Sequence, residues 1–575
     1  MVDYLKKILV ILNKKEKLLL FPILVLGFFS SVMDMFAIVM ILPVFEIIFS
    51  GNMEKYINLA NYYFYFPEFS EDKSSKTFIL VFVLTIFLIK NFLLGIINYI
   101  TTKFFFSVNF RISNELFNYY LSSNYSFFIE NKSEEFLRKV YHDTDIIKIF
   151  LISAQVLFIE IIFIFLLFLF LFITNKEITF FIILVFLISF LIYSLTFKKK
   201  IMNLGVTFQE SIGDLQNIVL NGILGIRDVI TYNMEEWFSK KFKKLSKKTI
   251  FSQFKLAFLT SLPKFYLEII VVFSIIIPMI FFINFDYDIQ KSLPIISLFA
   301  VSLFRMIPSS NKILSSYNNI KFSKIFVDTY TDDLLVRISR ENNNFKANTY
   351  QFNKSLEFKN IKYTYKKSDI NVLKDINLKI NTNETLLIRG SNGSGKSTLL
   401  NIISGLISQD SGQILIDSKE VKLNRFWAKQ LSYVQQNIFL LNKSIRENII
   451  SEINKSKYEI KKDRLIYIEK LLNLDQVFNN FPNKLDSKIG YNGEKLSGGQ
   501  KQILSIARTL YKDGKIIILD EPSSALDDIA KTNLVNLLQK LKNKKTIIIV
   551  THENELFNRC ADRIYNIENG KIIKR

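Results

Sequence analysis

The sequence predicts a polytopic α-helical membrane domain followed by an α/β domain. Three observations carry this prediction. Six apolar stretches, each long enough to cross a bilayer at about 20 residues per span, fall before residue 315. After residue 350, short β-branched runs alternate with helical patterns. Between two of these lies a glycine-rich loop, Gly390-Ser391-Asn392-Gly393-Ser394-Gly395-Lys396-Ser397-Thr398. Half of the 575 residues are hydrophobic and 56 are Phe, which points to a lipid environment.

The apolar stretches run approximately Leu18–Phe49, Thr77–Thr101, Phe150–Thr174, Ile178–Phe197, Leu256–Ile283 and Leu293–Leu314. The basic segment before the first is followed by too long an apolar run for a cleaved signal peptide, so a retained helix is expected. Lys and Arg crowd the N-terminal tail and the second-to-third and fourth-to-fifth connections, so the positive-inside rule puts both termini in the cytoplasm. That distribution accounts for the net charge of +22, and no nucleic-acid partner is expected. The two long basic connections show helical apolar spacing, as at Ile112, Leu116 and Tyr120. They are expected to be helical extensions with short turn helices at their tips, over Ser126–Glu135 and Gly213–Gly225. The first outside loop, 51–76, is dense in Tyr and Phe and suits either an interfacial helix or a packed loop.

Asp34, Lys90, Glu160, Lys264, Glu268 and Arg305 are ionisable residues inside apolar runs, where a charge is costly unless paired or hydrated. Asp34 and Lys90 could pair between helices. Arg305 has no obvious local partner, and with Lys90 it could instead line a cavity for an anionic headgroup. A single cysteine, Cys560, and two histidines, His142 and His552, leave no Cys/His metal centre within one chain.

In the soluble half, Gly390–Thr398 has the G-x-x-x-x-G-K-S spacing of a phosphate loop between strand and helix. Glycines let backbone N–H groups approach a phosphate chain closely. Lys396 is expected on the β- and γ-phosphates and Ser397 on Mg²⁺. Upstream, Tyr365 is an aromatic that can stack on adenine, with Tyr363 the competing choice. Downstream, Gln436 lies just past a strand, and Leu496-Ser497-Gly498-Gly499-Gln500 opens a helix as a second anion-binding turn. The apolar strand 516–520 ends in Asp520 and Glu521, suited to Mg²⁺ and to polarising a water respectively. Asp527 follows, and the strand 546–551 delivers His552.

Together these motifs resemble the ATP-binding cassette set, and the whole chain resembles an exporter-type ABC half-transporter. The resemblance implies six membrane helices followed by an α/β P-loop ABC nucleotide-binding domain. It implies ATP and Mg²⁺ as cofactors, Gln436 as the Q-loop glutamine and a further Mg²⁺ ligand, Glu521 as catalytic base, Asp527 in the D-loop and His552 as switch histidine. It also implies that Leu496–Gln500 caps ATP on a second copy, so a homodimer is expected. Gln435 stands where many relatives have Pro, and Ile489–Glu494 departs from the usual acidic Gly-rich wording. The expected boundaries are 1–17 for a cytoplasmic segment, 18–320 for the transmembrane domain, 321–349 for a linker and 350–575 for the nucleotide-binding domain. The run Leu303–Asn311, with Ser315-Ser316-Tyr317, is similar to the last membrane helix of PglK-like lipid-linked oligosaccharide flippases. That similarity implies a lipid-linked glycan substrate, a membrane-lipid environment and the bacterial cytoplasmic membrane. The alternatives are an exporter of another lipid, a drug or a peptide, and a non-transporting membrane regulator.

Overall fold

The computed structural model describes residues 2–40, 44, 73–284, 289–342, 350–366, 370–424, 426–450, 462–553 and 555–574. The aromatic loop expected over 51–76 lies outside the described residues up to 72. The chain divides into two compact units, one of Met1–Ser122 with Lys132–Asn343 and one of Ser123–Asn131 with Asn344–Arg575.

The first unit is helical. Asn13 and Glu16 form a reciprocal capping box that starts the helix Lys14–Val39. Glu16 also takes the Arg111 guanidinium on both oxygens, at 2.6 and 2.7 Å, a bidentate pair that ties this helix to Lys73–Ser122. The helices Lys73–Ser122 and Lys176–Leu224 run 50 and 49 residues without interruption. At 1.5 Å per residue each is about 75 Å long, far more than a bilayer core of about 30 Å requires. Thr144–Thr174, Glu235–Asn284 and Ile289–Phe322 are further long helices. Gly205 lets two of them meet closely, because a Cβ there would stand 2.3 Å from the Phe322 carbonyl oxygen. Leu167, Leu171, Ile182, Val271, Leu303 and Met306 form a buried cluster between helices.

Five helices among the described residues are long and apolar enough to cross a membrane: Lys14–Val39, Leu80–Ser122, Glu135–Thr174, Lys176–Leu224 and Glu235–Phe273. The sixth expected span, Leu293–Leu314, lies within the helix Ile289–Phe322.

The expected tips are corrected in part. The first short helix is Tyr125–Glu130, ended by the extended backbone of Asn131. It groups with the second unit, where Glu130 pairs with Lys366 at 3.0 Å. Gly213–Gly225 is not a tip helix. Residues 213–224 continue the long helix, which stops at Gly225, and the short helix is Ile226–Thr231. The stretch holds no proline, and Gly213 and Gly222 each cost only about 1 kcal/mol, too little to end a 49-residue helix.

The second unit contains two sheets. β1 (Ser355–Thr364), β2 (Asn371–Asn381), β4 (Ser411–Ile416) and β5 (Lys419–Glu420) form an antiparallel sheet in the order β2-β1-β4-β5. β3 (Thr385–Arg389), β6 (Leu431–Val434), β7 (Ile516–Asp520), β8 (Thr546–Thr551), β9 (Arg563–Glu568) and β10 (Lys571–Lys574) form the other, in the order β10-β9-β3-β8-β7-β6. All its pairings except β10–β9 are parallel, and β7 and β8 are buried along their whole length. Such strands read as unbroken apolar runs because helices cover both faces. Functional loops then emerge at the carboxyl ends of β3, β7 and β8.

Cys560 is sealed in this unit's core, with its Sγ against the Val535 carbonyl oxygen at 3.6 Å, and burial pushes its thiol pKa up. The native chain therefore resists thiol-directed maleimide, and the label enters only when the second unit unfolds. Mass spectrometry across a denaturant series reads this directly.

Candidate active site

β3 ends at Arg389 and the loop 390–395 turns into the helix Lys396–Ile403. Gly395 has φ +104° at the helix start, a left-handed backbone that favours glycine. Gly390 is glycine for a different reason: a Cβ would stand 2.4 Å from the Ile567 carbonyl oxygen. The Lys396 ammonium donates to the carbonyls of Gly390 and Ser391 at 2.8 and 2.9 Å. The lysine thus braces the loop and keeps a donor for a phosphate oxygen. The Tyr365 hydroxyl meets Thr398 Oγ1 at 3.1 Å, and its ring stands edge-on to Tyr363 at 5.0 Å. Tyr365 is thereby joined to the loop, whereas Tyr363 is buried in the core.

β7 ends at Asp520, and Glu521 follows it directly beside β8. Burial raises the Asp520 carboxyl pKa, with the Glu521 charge adding to it and the Tyr433 hydroxyl and Lys396 opposing it. Tyr433 Oη donates to Asp520 Oδ2 at 3.4 Å. Glu521 has φ +49°, a left-handed conformation that is uncommon outside glycine and is often found at functional sites. Its N–H donates to the Val550 carbonyl at 2.9 Å. Its Oε2 receives Thr551 Oγ1 at 3.1 Å and lies 3.0 Å from His552 Nδ1. A carboxylate only accepts, so Nδ1 carries the proton of that contact. Gln436 is exposed just past β6. Ser397, Asp520 and Gln436 offer only oxygen donors, the chemistry that fits Mg²⁺ bound largely through substrate phosphates and water. No cluster of three or more His, Cys, Asp or Glu among the described residues competes with that reading.

Ser497 and Gln500 cap the helix Gly498–Lys512 reciprocally, and Gln500 Nε2 also donates to the Val477 carbonyl at 3.0 Å. Gly498 and Gly499 back onto Ala525, where a Cβ would meet its Cβ and carbonyl oxygen at 3.3 and 3.2 Å. Leu496 is buried beneath the turn. Asp527 caps the helix Asp528–Leu541 by accepting from Ala530 N at 2.8 Å. Among the described residues, no hydrogen bond joins the turn 496–500 to the loop 390–398. In the departing stretch before the signature, Asn492 has φ +47° and Gly490 φ +79°, and Asn492 Oδ1 accepts from Leu440 N at 3.2 Å.

In the first unit, Lys90 Nζ and Arg305 Nη2 both reach Asp34 Oδ1, at 2.7 and 3.1 Å. The sequence offered Arg305 no local partner, and the structure supplies Asp34 across the helices. Glu160 pairs with Lys312 at 2.7 Å. Sequence reasoning passed over Thr551, although its place just before His552 was a usable signal.

Long apolar helices followed by a phosphate-loop unit with paired carboxylates and a second glycine-rich turn define an ATP-driven membrane transporter. A family profile described as the ABC transporter transmembrane region matches residues 6–306, and one described as ABC transporter matches 373–524. The chain belongs to the ABC transporter family, as an exporter-type half-transporter whose cassette couples ATP hydrolysis to transport. It is 26% identical over 468 residues to the ATP-dependent lipid A-core flippase of Photobacterium profundum, covering 80% of this chain and 78% of the relative. It is 27% identical over 480 residues to the ATP-dependent lipid A-core flippase of Wigglesworthia glossinidia brevipalpis, covering 81% and 79%. The solved structure of a bacterial Atm1-family ABC exporter with ATP bound shares the fold, with a TM-score of 0.75 at 17% identity over 98% of this chain and 94% of that one.

Proposed function

We propose that two copies of this chain flip an anionic lipid across the bacterial cytoplasmic membrane, with both termini in the cytoplasm. A polyprenyl-pyrophosphate-linked oligosaccharide is the substrate form favoured by the sequence around Arg305. The observation that carries the reading is the shared carboxylate of Asp34. Two cations on one anion leave a net positive charge in a membrane-embedded unit, where ionisable groups mark substrate paths. Arg305 remains partly exposed, while Lys90 is nearly buried, so Arg305 is the cation that meets a phosphate or pyrophosphate. The lipid A-core flippases among the relatives also suit an anionic lipid, and export of such a lipid is the second reading.

ATP sits on the loop 390–398 with adenine on Tyr365, and the turn Leu496–Gln500 of the second copy completes the site. Ser397, Asp520 and Gln436 would hold Mg²⁺, which when bound would supply neutralisation of phosphate charge. The water oxygen bonds to the γ-phosphorus as the bond to the β,γ-bridging oxygen breaks, and Glu521 takes the water's proton. His552, in contact with Glu521, senses the γ-phosphate, and Asp527 holds its loop at the interface between copies. The short helices at 125–130 and 226–231 pass cassette closure to the membrane helices.

The test is ATPase stimulation of the purified protein by a polyprenyl-pyrophosphate glycan, by a lipid A-type glycolipid and by a neutral glycolipid. Both anionic lipids are expected to stimulate, the first most strongly. Arg305→Ala leaves a neutral Asp34–Lys90 pair and lowers the stimulated increment about tenfold, the loss of one charge-assisted contact. Equal stimulation by the neutral lipid would sink the reading.

A further inference from the structure

We propose that Thr551 is a positioning residue for Glu521, anchored from outside by Glu553 and Lys531. The inference rests on the reading of Glu521 as the base. A left-handed backbone at Glu521 gives its side chain an unusual exit from β7, so something must fix where the carboxylate points. Among the described residues, three polar contacts to that carboxylate converge on Oε2: the Thr551 hydroxyl at 3.1 Å, His552 N–H at 3.4 Å and His552 Nδ1 at 3.0 Å. Oε1 is thereby the oxygen left to receive a proton.

The donors are not equivalent. The His552 side chain is 59% exposed, and an exposed ring on rotatable bonds is a poor anchor because its ordering costs entropy. Thr551 is fully buried at the end of β8, locked by parallel pairing to β3 at Arg389. A hydroxyl has one hydrogen to give. Thr551 Oγ1 accepts the Glu553 N–H at 3.1 Å, which turns its own hydrogen toward Glu521. The Glu553 carboxylate takes Lys531 Nζ at 3.0 Å, and Lys531 stands in the first turn of the helix that Asp527 caps. The carboxylate is thus held through Thr551 by a segment pinned to the helix after the D-loop, while His552 is free to swing.

The experiment uses the full-length protein in detergent. Thr551→Val keeps the shape and removes the hydroxyl. The maximal ATPase rate is expected to fall about tenfold, the worth of a hydrogen bond to a charged group. KM for ATP and the affinity for a fluorescent ATP analogue stay unchanged, and Thr551→Ser restores the rate. An unchanged rate, a failure of serine to restore it, or a parallel loss of nucleotide affinity would each overturn the proposal. Maleimide labelling of Cys560 shows whether the valine variant is folded. If it is not, Thr551→Ala is judged by the same three outcomes. Glu521→Gln separates the two readings. If it turns over ATP normally, the base assignment has failed; if it is dead while Thr551→Val keeps the full rate, only the positioning role is lost.

Discussion

Glu521→Gln lowers ATP turnover about a thousandfold, the middle of the range for losing a positioned general base. The substitution preserves side-chain shape, and an amide oxygen can still accept from Thr551 and from His552. What it removes is the ability to take a proton from the attacking water. Nothing in the loop 390–398 changes: Lys396 still braces the carbonyls of Gly390 and Ser391, so ATP binds with its usual affinity. Binding without turnover keeps two copies closed on ATP. Phosphate release measures the rate, and a crosslink or light-scattering measurement with ATP·Mg²⁺ detects the persistent closed pair. Turnover within about tenfold of the parent would remove Glu521 from the role of base.

Asp34→Ala destabilises the first unit by roughly 3 kcal/mol, the low end of the cost of breaking a buried ion pair from one side, because Asp34 and Arg305 are only partly buried. The alanine leaves Lys90 and Arg305 facing each other with no shared anion. Lys90 has little recourse, since its side chain is only 10% exposed. It retains the Phe87 ring at 5.4 Å, and Arg305 the Phe163 ring at 5.7 Å, but such contacts are worth about 0.5–2 kcal/mol. Lys90→Met is milder because Asp34 keeps Arg305, and adding Lys90→Met to Asp34→Ala recovers part of the loss. Thermal unfolding of the single and double variants in one detergent ranks them. If Asp34→Ala is no worse than Lys90→Met, the cluster is not held by the shared carboxylate.

Much of the nucleotide site was legible because its chemistry is local. Gly390, Gly395, Lys396 and Ser397 lie within eight residues, and their spacing alone encodes strand, loop and helix. The buried strands β7 and β8 announced themselves as isoleucine runs ending in polar residues. Contacts across the sheet were less legible. Nothing in the order of residues says that Thr551 and His552 converge on one oxygen of Glu521, which precedes them by about thirty positions, or that Glu521 adopts a left-handed backbone. The same holds in the first unit. Asp34, Lys90 and Arg305 were conspicuous as charges in apolar runs, yet their pairing depends on which helices are neighbours. Arg305 found its partner 271 positions away. The second tip helix, at 226–231, lies just past the stretch expected for it. Gly213 and Gly222 are carried inside the long helix, and Gly225 ends it.

The sealed position of the lone cysteine has a practical consequence for following this transporter in motion. Spectroscopic studies of conformational change usually begin by removing native thiols, with some risk to the fold. Here the single native thiol is already silent, so the unaltered sequence is a ready background. One new cysteine at Tyr125 and another at Ile230, both exposed, would carry a spin or fluorophore pair. The separation of those labels across the ATP cycle could then be recorded without disturbing Cys560.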